Sequence, residues 1–287
     1  MEYEVAKIQE YGYKDHTKIK KFWNVFSKII VALTICLLYI SIVIIFIQSI
    51  NSSSNASEFE HFTLKWYFSI TSNRALFNSL INTFVISISA TLISTFLGTL
   101  IAVGIFSLSK KHQKLLLLLN NIPLLNADIV TGIGLMLVFS LLIKIFPYFF
   151  GWKTLLLAHM YFTLPYVILS VLPKIKELDK NMFDAAIDLG VRPYKSLFLV
   201  IIPAIKAGIF SGLILAFTMS FDDFVISYYT TGNGFDTLSI WIYSSIGRKS
   251  LSPAVYAFST LFTICSMCAI LLMNLRGRKE NKHAKKK

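Results

Sequence analysis

The stretch "NMFDAAIDLGVRPYKSLFLVIIP", Asn181–Pro203, separates two long apolar runs and is unlike either of them. It mixes acidic residues with Ala185, Ala186, Gly190, Pro193 and Pro203. Asn181 stands where an N-cap would stand, with Asp184 three residues later in the capping-box position. Asp184 also suits the positive end of a helix dipole. Ala185, Ala186, Ile187 and Leu189 are compatible with a helix. Gly190 suits a C′ position, where positive φ is needed. Pro193 suits the first turn of a second helix, and Pro203 the start of the next apolar run. A short structured element between two greasy runs is therefore expected, with its two alanines offering a surface that another protein can approach closely.

Outward from this element the chain is a series of apolar blocks. Of 287 residues, 55% are hydrophobic and only 15% charged, and the mean hydropathy is +0.64. That balance excludes an ordinary soluble domain. A bilayer core about 30 Å thick takes about 20 helical residues at 1.5 Å each. Blocks of that order lie at about 29–47, 80–108, 115–143, 155–172, 203–226 and 254–275. The sequence thus predicts an all-α integral membrane protein with six transmembrane helices. A basic arm, 1–28, and a basic tail, 276–287, flank the domain 29–275, and the loop 173–202 lies within it. No internal repeat and no second soluble domain is visible.

Charge gives an orientation. With six spans, 22 of the 28 Lys and Arg fall on the side shared by both termini and the 173–202 loop, and 6 on the other. Basic residues mark the cytoplasmic side, so both termini and the loop are expected there. The net charge of +13 is then a topology signal and an anionic-lipid contact, not a nucleic-acid footprint. Cys36, Cys265 and Cys268 lie in apolar runs and read as packing residues; no metal site is expected from them. The first 28 residues are polar and the first apolar run is of full span length, so no cleavable signal peptide is read. The chain carries no G-x-x-x-x-G-K-[ST] phosphate loop. The lone "GRKS", Gly247–Ser250, lacks the upstream glycine. No cofactor and no catalytic residue is expected.

"DAAIDLG", nine residues, then "VIIP" resembles the cytoplasmic loop of permease subunits of ABC importers, whose pattern is E-A-A, three residues, Gly, nine residues, I-x-L-P. Asp184 stands in the Glu position; Ala185, Ala186 and Gly190 match; Val200, Ile202 and Pro203 fill the closing positions. The resemblance implies a type I ABC importer fold. It implies that the loop is a coupling helix, seated in a groove of an ATP-hydrolysing subunit. It also implies the partners: a second permease subunit forming a heterodimer, two ABC ATPase subunits, and an extracytoplasmic substrate-binding protein or lipoprotein, all at the cell membrane. Catalysis would belong to the ATPases.

Three acids lie in or beside spans: Asp128, Asp222 and Asp223. A carboxylate at mid-bilayer costs about 2.5–3.5 kcal/mol on insertion scales, which makes such residues functional candidates. Counted along a straight helix from Pro203, Asp222 and Asp223 fall near the outer mouth. Both would face one site only if the helix ended there, since neighbours on a helix diverge by about 100°. They could attract a cation, cap a helix or bond a partner subunit, and their chemistry alone leaves these open.

The wider stretch, "SFDDFVISYYTTGNGFDTLSIWIYSSI" followed by "SPAVYAFSTL", resembles the C-type permease subunits of spermidine/putrescine importers. Ser220, Asp222, Asp223, Thr231, Gly232, Thr237, Leu238, Ile242, Tyr243, Ser244, Ser252 and Pro253 fit that pattern. Ser239 replaces its proline, and Tyr256 takes its Asn place. The resemblance implies a polyamine cargo, with Asp222, Asp223, Tyr228 and Tyr243 along its path. Tyr228, Tyr229, Trp241 and Tyr243 fit either cation–π contact or an interfacial aromatic belt. Pro123 and Asp128 fit a broken third span, with Asn126 meeting the freed backbone groups. The rival readings are an importer of another small solute, an ion channel or secondary transporter, and a membrane scaffold without transport.

Overall fold

The computed structural model describes residues 2–53, 58–143, 146, 149–179, 181–232, 234–246 and 253–284, which are helical almost throughout, with no strand among them. The chain forms two units. One comprises Met1–Ile70 with Ser250–Lys287, and the other Thr71–Lys249.

In the first unit, α1 (Glu2–Ser49) packs against α13 (Pro253–Ala284). The segment after α1 closes on itself through Asn51. The Asn51 amide donates to the Glu58 carbonyl at 2.7 Å, and its Oδ1 accepts from the Ser53 and Glu60 backbone N–H groups. Trp66 Nε1, on α2 (Lys65–Ser72), donates to the Asn51 carbonyl at 2.7 Å. One fully buried amide thereby satisfies backbone groups that a loop would otherwise leave unpaired.

The second unit is built on α3 (Arg74–Ser107), α6 (Trp152–Lys176) and α10 (Lys206–Asp222). Lipid tails are as apolar as leucine, so these helices associate by close packing of small residues. On α10, Gly208, Gly212, Ala216 and Ser220 recur every four residues and are buried. On α3, Ser79, Thr83, Ser87, Thr91, Thr95 and Thr99 do the same. Val167 of α6 lies between two glycines. A Cβ added to Gly98 of α3 would come within 2.8 Å of its Cγ1, and one on Gly212 within 3.2 Å of its Cα. Ile105, Ile168, Val171, Leu172, Ile175 and Ile205 complete this core.

Shorter elements connect these helices. The expected third span is two helices, α4 (Lys110–Leu125) and α5 (Asp128–Ile143), meeting at 102°. After α6 come α7 (Asn181–Asp188), α8 (Pro193–Ser196), a π-helical turn (Leu197–Ile201) and α9 (Ile202–Ala204). The segment Tyr194–Ala204 meets α10 at 73°. The fifth helix stops at Asp222 where the sequence suggested Ile226; α11 (Val225–Thr230) is a separate piece, followed by α12 (Leu238–Ile246).

Among the described residues, three helices are long and apolar enough to cross a bilayer, Ile19–Ser49, Arg74–Ser107 and Trp152–Lys176, and five if each bent pair is one span. Pro253–Cys268 is a shorter apolar stretch. The expected sixth span, 254–275, runs on past the residues whose side chains are described.

Candidate functional site: the 181–203 loop and an acidic cleft

The loop between α6 and α10 folds for local reasons. Asp179 Oδ1 accepts from the Asn181 N–H at 3.0 Å. Asp179 is therefore the residue that caps α7, and Asn181, expected in that role, lies within the first turn. The far end is a Schellman motif: Val191 N–H donates to the Ala186 carbonyl and Gly190 N–H to that of Ile187. Gly190 has φ +81°, with open space where a Cβ would stand. Ala186 is buried and Ala185 exposed. The side chain of Asp184 lies outside the described residues. Downstream, Ile202 N–H bonds the Leu197 carbonyl, five residues back. Pro203 follows without an N–H, which is where a helical ladder loosens into a π turn.

A cleft of about 330 Å³ lies in the second unit, within the size range of small-molecule sites. Asp128, Asp222 and Asp223 all line it, together with Phe162, Tyr166 and Phe224. Both aspartates of the Asp222–Asp223 pair reach it because α10 ends at Asp222, and Asp223 turns to extended backbone at φ −63°, ψ 132°. Asp128 arrives from the first turn of α5, after the sharp bend. The cleft is recessed. Phe162 and Tyr166 are 10 and 14 residues into the 25-residue α6, about 15 and 21 Å along it at 1.5 Å per residue. The count along one straight helix from Pro203 does not hold, because the helix bends at Ile205 and breaks at Asp222, so the residues beyond belong to α11.

The three carboxylates differ in company. Asp128 and Asp222 are exposed to the cleft and make no hydrogen bond among the described residues. Asp223 is largely buried and bonded. Its Oδ2 accepts from Ser227 N–H at 2.8 Å and Ser227 Oγ at 2.7 Å, which caps α11. Behind it stands His159, 1% exposed. Its Nδ1 lies 2.7 Å from Ser220 Oγ, its Nε2 2.9 Å from Ser227 Oγ, and Nε2 is 3.8 Å from Asp223 Oδ2. One turn on, Thr163 Oγ1 donates to the His159 carbonyl and meets Ser94 Oγ of α3 at 2.8 Å.

The aromatics form a group of their own. The rings of Phe224, Tyr228 and Tyr243 lie 4.8 to 5.6 Å apart, centre to centre. Of these Phe224 lines the cleft, and Tyr228 and Tyr243, 48% and 53% exposed, pack against its ring without joining the lining. Asn126, expected to serve freed backbone groups at the bend, donates to Thr131 Oγ1 at 3.0 Å instead.

Residues 94–281 match the family described as the binding-protein-dependent transport system inner membrane component. The chain belongs to this family. It is a permease subunit of an ABC importer. It is 30% identical over 246 residues to the spermidine/putrescine transport system permease protein PotC of Escherichia coli K12, covering 85% of this chain and 91% of that one. The putrescine transport system permease protein PotI of the same strain is likewise 30% identical over 246 residues, covering 85% and 86%. A PotC homolog of Mycoplasma genitalium is 29% identical over 197 residues, covering 69% and 68%. The fold matches a chain of a bacterial ABC transporter involved in the import of the acidic polysaccharide alginate, with a TM-score of 0.68 at 14% identity, over 92% of this chain and 98% of that one.

The permease therefore has the type I importer fold that its loop motif implied, and its apolar helices place it in a membrane as a multi-pass protein. Sequence reasoning missed His159 and Ser227. A signal existed, because His159 is the one titratable side chain other than tyrosine in the apolar run 155–172, and an ionisable residue within a span is a candidate by default.

Proposed function

We propose that the permease passes polyamines of the spermidine and putrescine type, driven by ATP hydrolysis on partner subunits. The observation that carries this reading is the convergence of Asp128, Asp222 and Asp223 on one cleft with aromatic faces beside them. Carboxylates offer charge to an ammonium group, and ring faces attract it further by about 0.5–2 kcal/mol each when desolvated. Asp128 and Asp222, unbonded and facing the cleft, are the cation-facing pair, with Tyr166 beside them. Similarity to PotC and PotI supports the same cargo class. Tyr228 and Tyr243 belong to the mouth of this path or to the membrane interface rather than to the cleft itself.

Coupling runs through residues 181–203. The capped helix α7 is the part an ATPase subunit grips, and Ala185, Ala186 and Gly190 shape that contact, with Asp184 in the acidic position of the motif. Pro203 and the π turn lead from it into α10, whose other end carries Asp222. A push on α7 thus reaches the cleft along one continuous stretch of chain. The working assembly contains a second permease subunit, two ATPases and an external binding protein. Both termini and α7 face the cytoplasm, as the 22-to-6 distribution of basic residues supports.

The test is uptake of labelled spermidine by vesicles carrying the whole complex with its binding protein. ATP-dependent uptake, competed by putrescine, is expected. Vesicles that hydrolyse ATP and concentrate a different solute while ignoring both amines would overturn the cargo. Transport by this chain alone, down a gradient and without ATP, would overturn the mechanism.

A further inference from the structure

His159 takes no part in the readings above, yet it sits at the convergence of four helices. Its ring bonds Ser220 of α10 and Ser227 of α11, its own helix is α6, and its carbonyl accepts from Thr163, whose hydroxyl meets Ser94 of α3. The hydrogen-bond roles can be assigned. Ser227 Oγ donates to Asp223 Oδ2, so its lone pair must accept the proton of His159 Nε2–H. Nδ1 faces Ser220 Oγ at 2.7 Å. The ring reads the end of α10 with one nitrogen and the start of α11 with the other. Between those two contacts lies the break at Asp223 and Phe224 that turns Asp222 and Asp223 into the cleft.

We propose that His159 is the positioning residue of this permease's cargo site: through Ser227 it fixes Asp223 as the cap of α11 and so holds Asp222 toward Asp128. The inference rests on reading the cleft as a cation site. The branch through Nε2 is the one that matters, because it orients the Ser227 hydroxyl that donates to Asp223. Ser220 lies within regular helix and keeps its place through α10's own backbone bonds.

Two conservative variants separate the branches. In H159Q the side-chain amide reaches the place of Nε2 and still donates to Ser227. In H159N the shorter amide reaches the place of Nδ1 and serves Ser220 only. S227A removes the link from the other side with a smaller change of volume. In the purified complex, H159N and S227A are expected to raise the spermidine concentration for half-maximal uptake about tenfold, as befits one buried hydrogen bond lost, with little change in the maximal rate. H159Q is expected to recover most of that affinity.

A second readout does not depend on the cargo. With Cys36, Cys265 and Cys268 replaced by serine, the D222C complex is labelled with a cationic methanethiosulfonate reagent. Adding H159N or S227A is expected to change the labelling rate severalfold, and adding H159Q to leave it near that of D222C alone. If wild-type complex takes up no polyamine while this labelling pattern holds, the cargo assignment fails and the positioning role stands. If H159N and H159Q behave alike in affinity and in labelling, or if either lowers only the maximal rate in step with complex yield, His159 is a structural residue and the inference is wrong.

Discussion

Asp128, Asp222 and Asp223 bring one functional group into three situations. Asp223 spends its oxygens on the first turn of α11. Replacing it by alanine is expected to cost about 1 kcal/mol of stability, as loss of an N-cap does, whereas D223N keeps a capping oxygen and most of that stability. Thermal unfolding of the detergent-solubilised permease checks the pair. Equal destabilisation by both variants would mean that the cap is not what Asp223 contributes. Asp222 makes no bond of this kind among the described residues. D222N is expected to leave the melting temperature unchanged and to raise the half-saturating spermidine concentration about tenfold, the equivalent of losing one charge-assisted hydrogen bond of roughly 1.5 kcal/mol. The sequence marked all three acids, but their division of labour was hidden from it. It depends on a helix ending between two adjacent aspartates, which a continuous apolar pattern does not announce.

Helices carry the next level of argument. In α7 the Gly190 φ of +81° is a left-handed conformation, which costs any L side chain roughly 1–2 kcal/mol. Because a Cβ there meets open space, G190A isolates the backbone term. It is expected to weaken coupling, and G190P, whose ring forbids positive φ, to abolish it. Both should insert in the membrane at wild-type yield. The readout is spermidine carried per ATP hydrolysed, and an unaltered ratio in G190P would remove α7 from the coupling path. Where α3, α6 and α10 meet, G98A forces a contact that Val167 must relieve. Overpacking of this sort costs about 1–3 kcal/mol, and V167A in the same chain is expected to return part of it. Additive losses in the double variant would mean that the two residues do not touch. The loop motif and Gly190 were readable in sequence because capping and positive φ are local demands. The 102° turn between α4 and α5 was readable only as an interruption, since its angle is set by what α5 and α11 pack against.

For the molecule as a whole, the apolar blocks gave the helices and the loop motif gave the family. The cleft was out of reach, because it joins residues from α4, α5, α6, α10 and α11 that are about 100 positions apart. Long-range clamps of this kind recur. Thr83 Oγ1 on α3 accepts the Leu238 N–H at 2.8 Å, and the Asn82 amide donates to the Asp236 carbonyl at 3.0 Å, so α12 is capped from a helix 155 residues away. T83A is expected to fray the start of α12, at about 1 kcal/mol for a lost cap, and to speed amide exchange at Leu238. Unaltered exchange there would count against the clamp.

α10 is interrupted at both of its ends, at Ile205 and at Asp222. Seventeen residues make a rod about 25 Å long, so a swing of only about 10° pivoting at Ile205 sweeps the far tip through about 4 Å. That exceeds the reach of a hydrogen bond. A modest lever stroke begun beside α7 would therefore pull Asp222 out of touch with an ammonium group it had been holding, and cargo release would need no unfolding and no second motor.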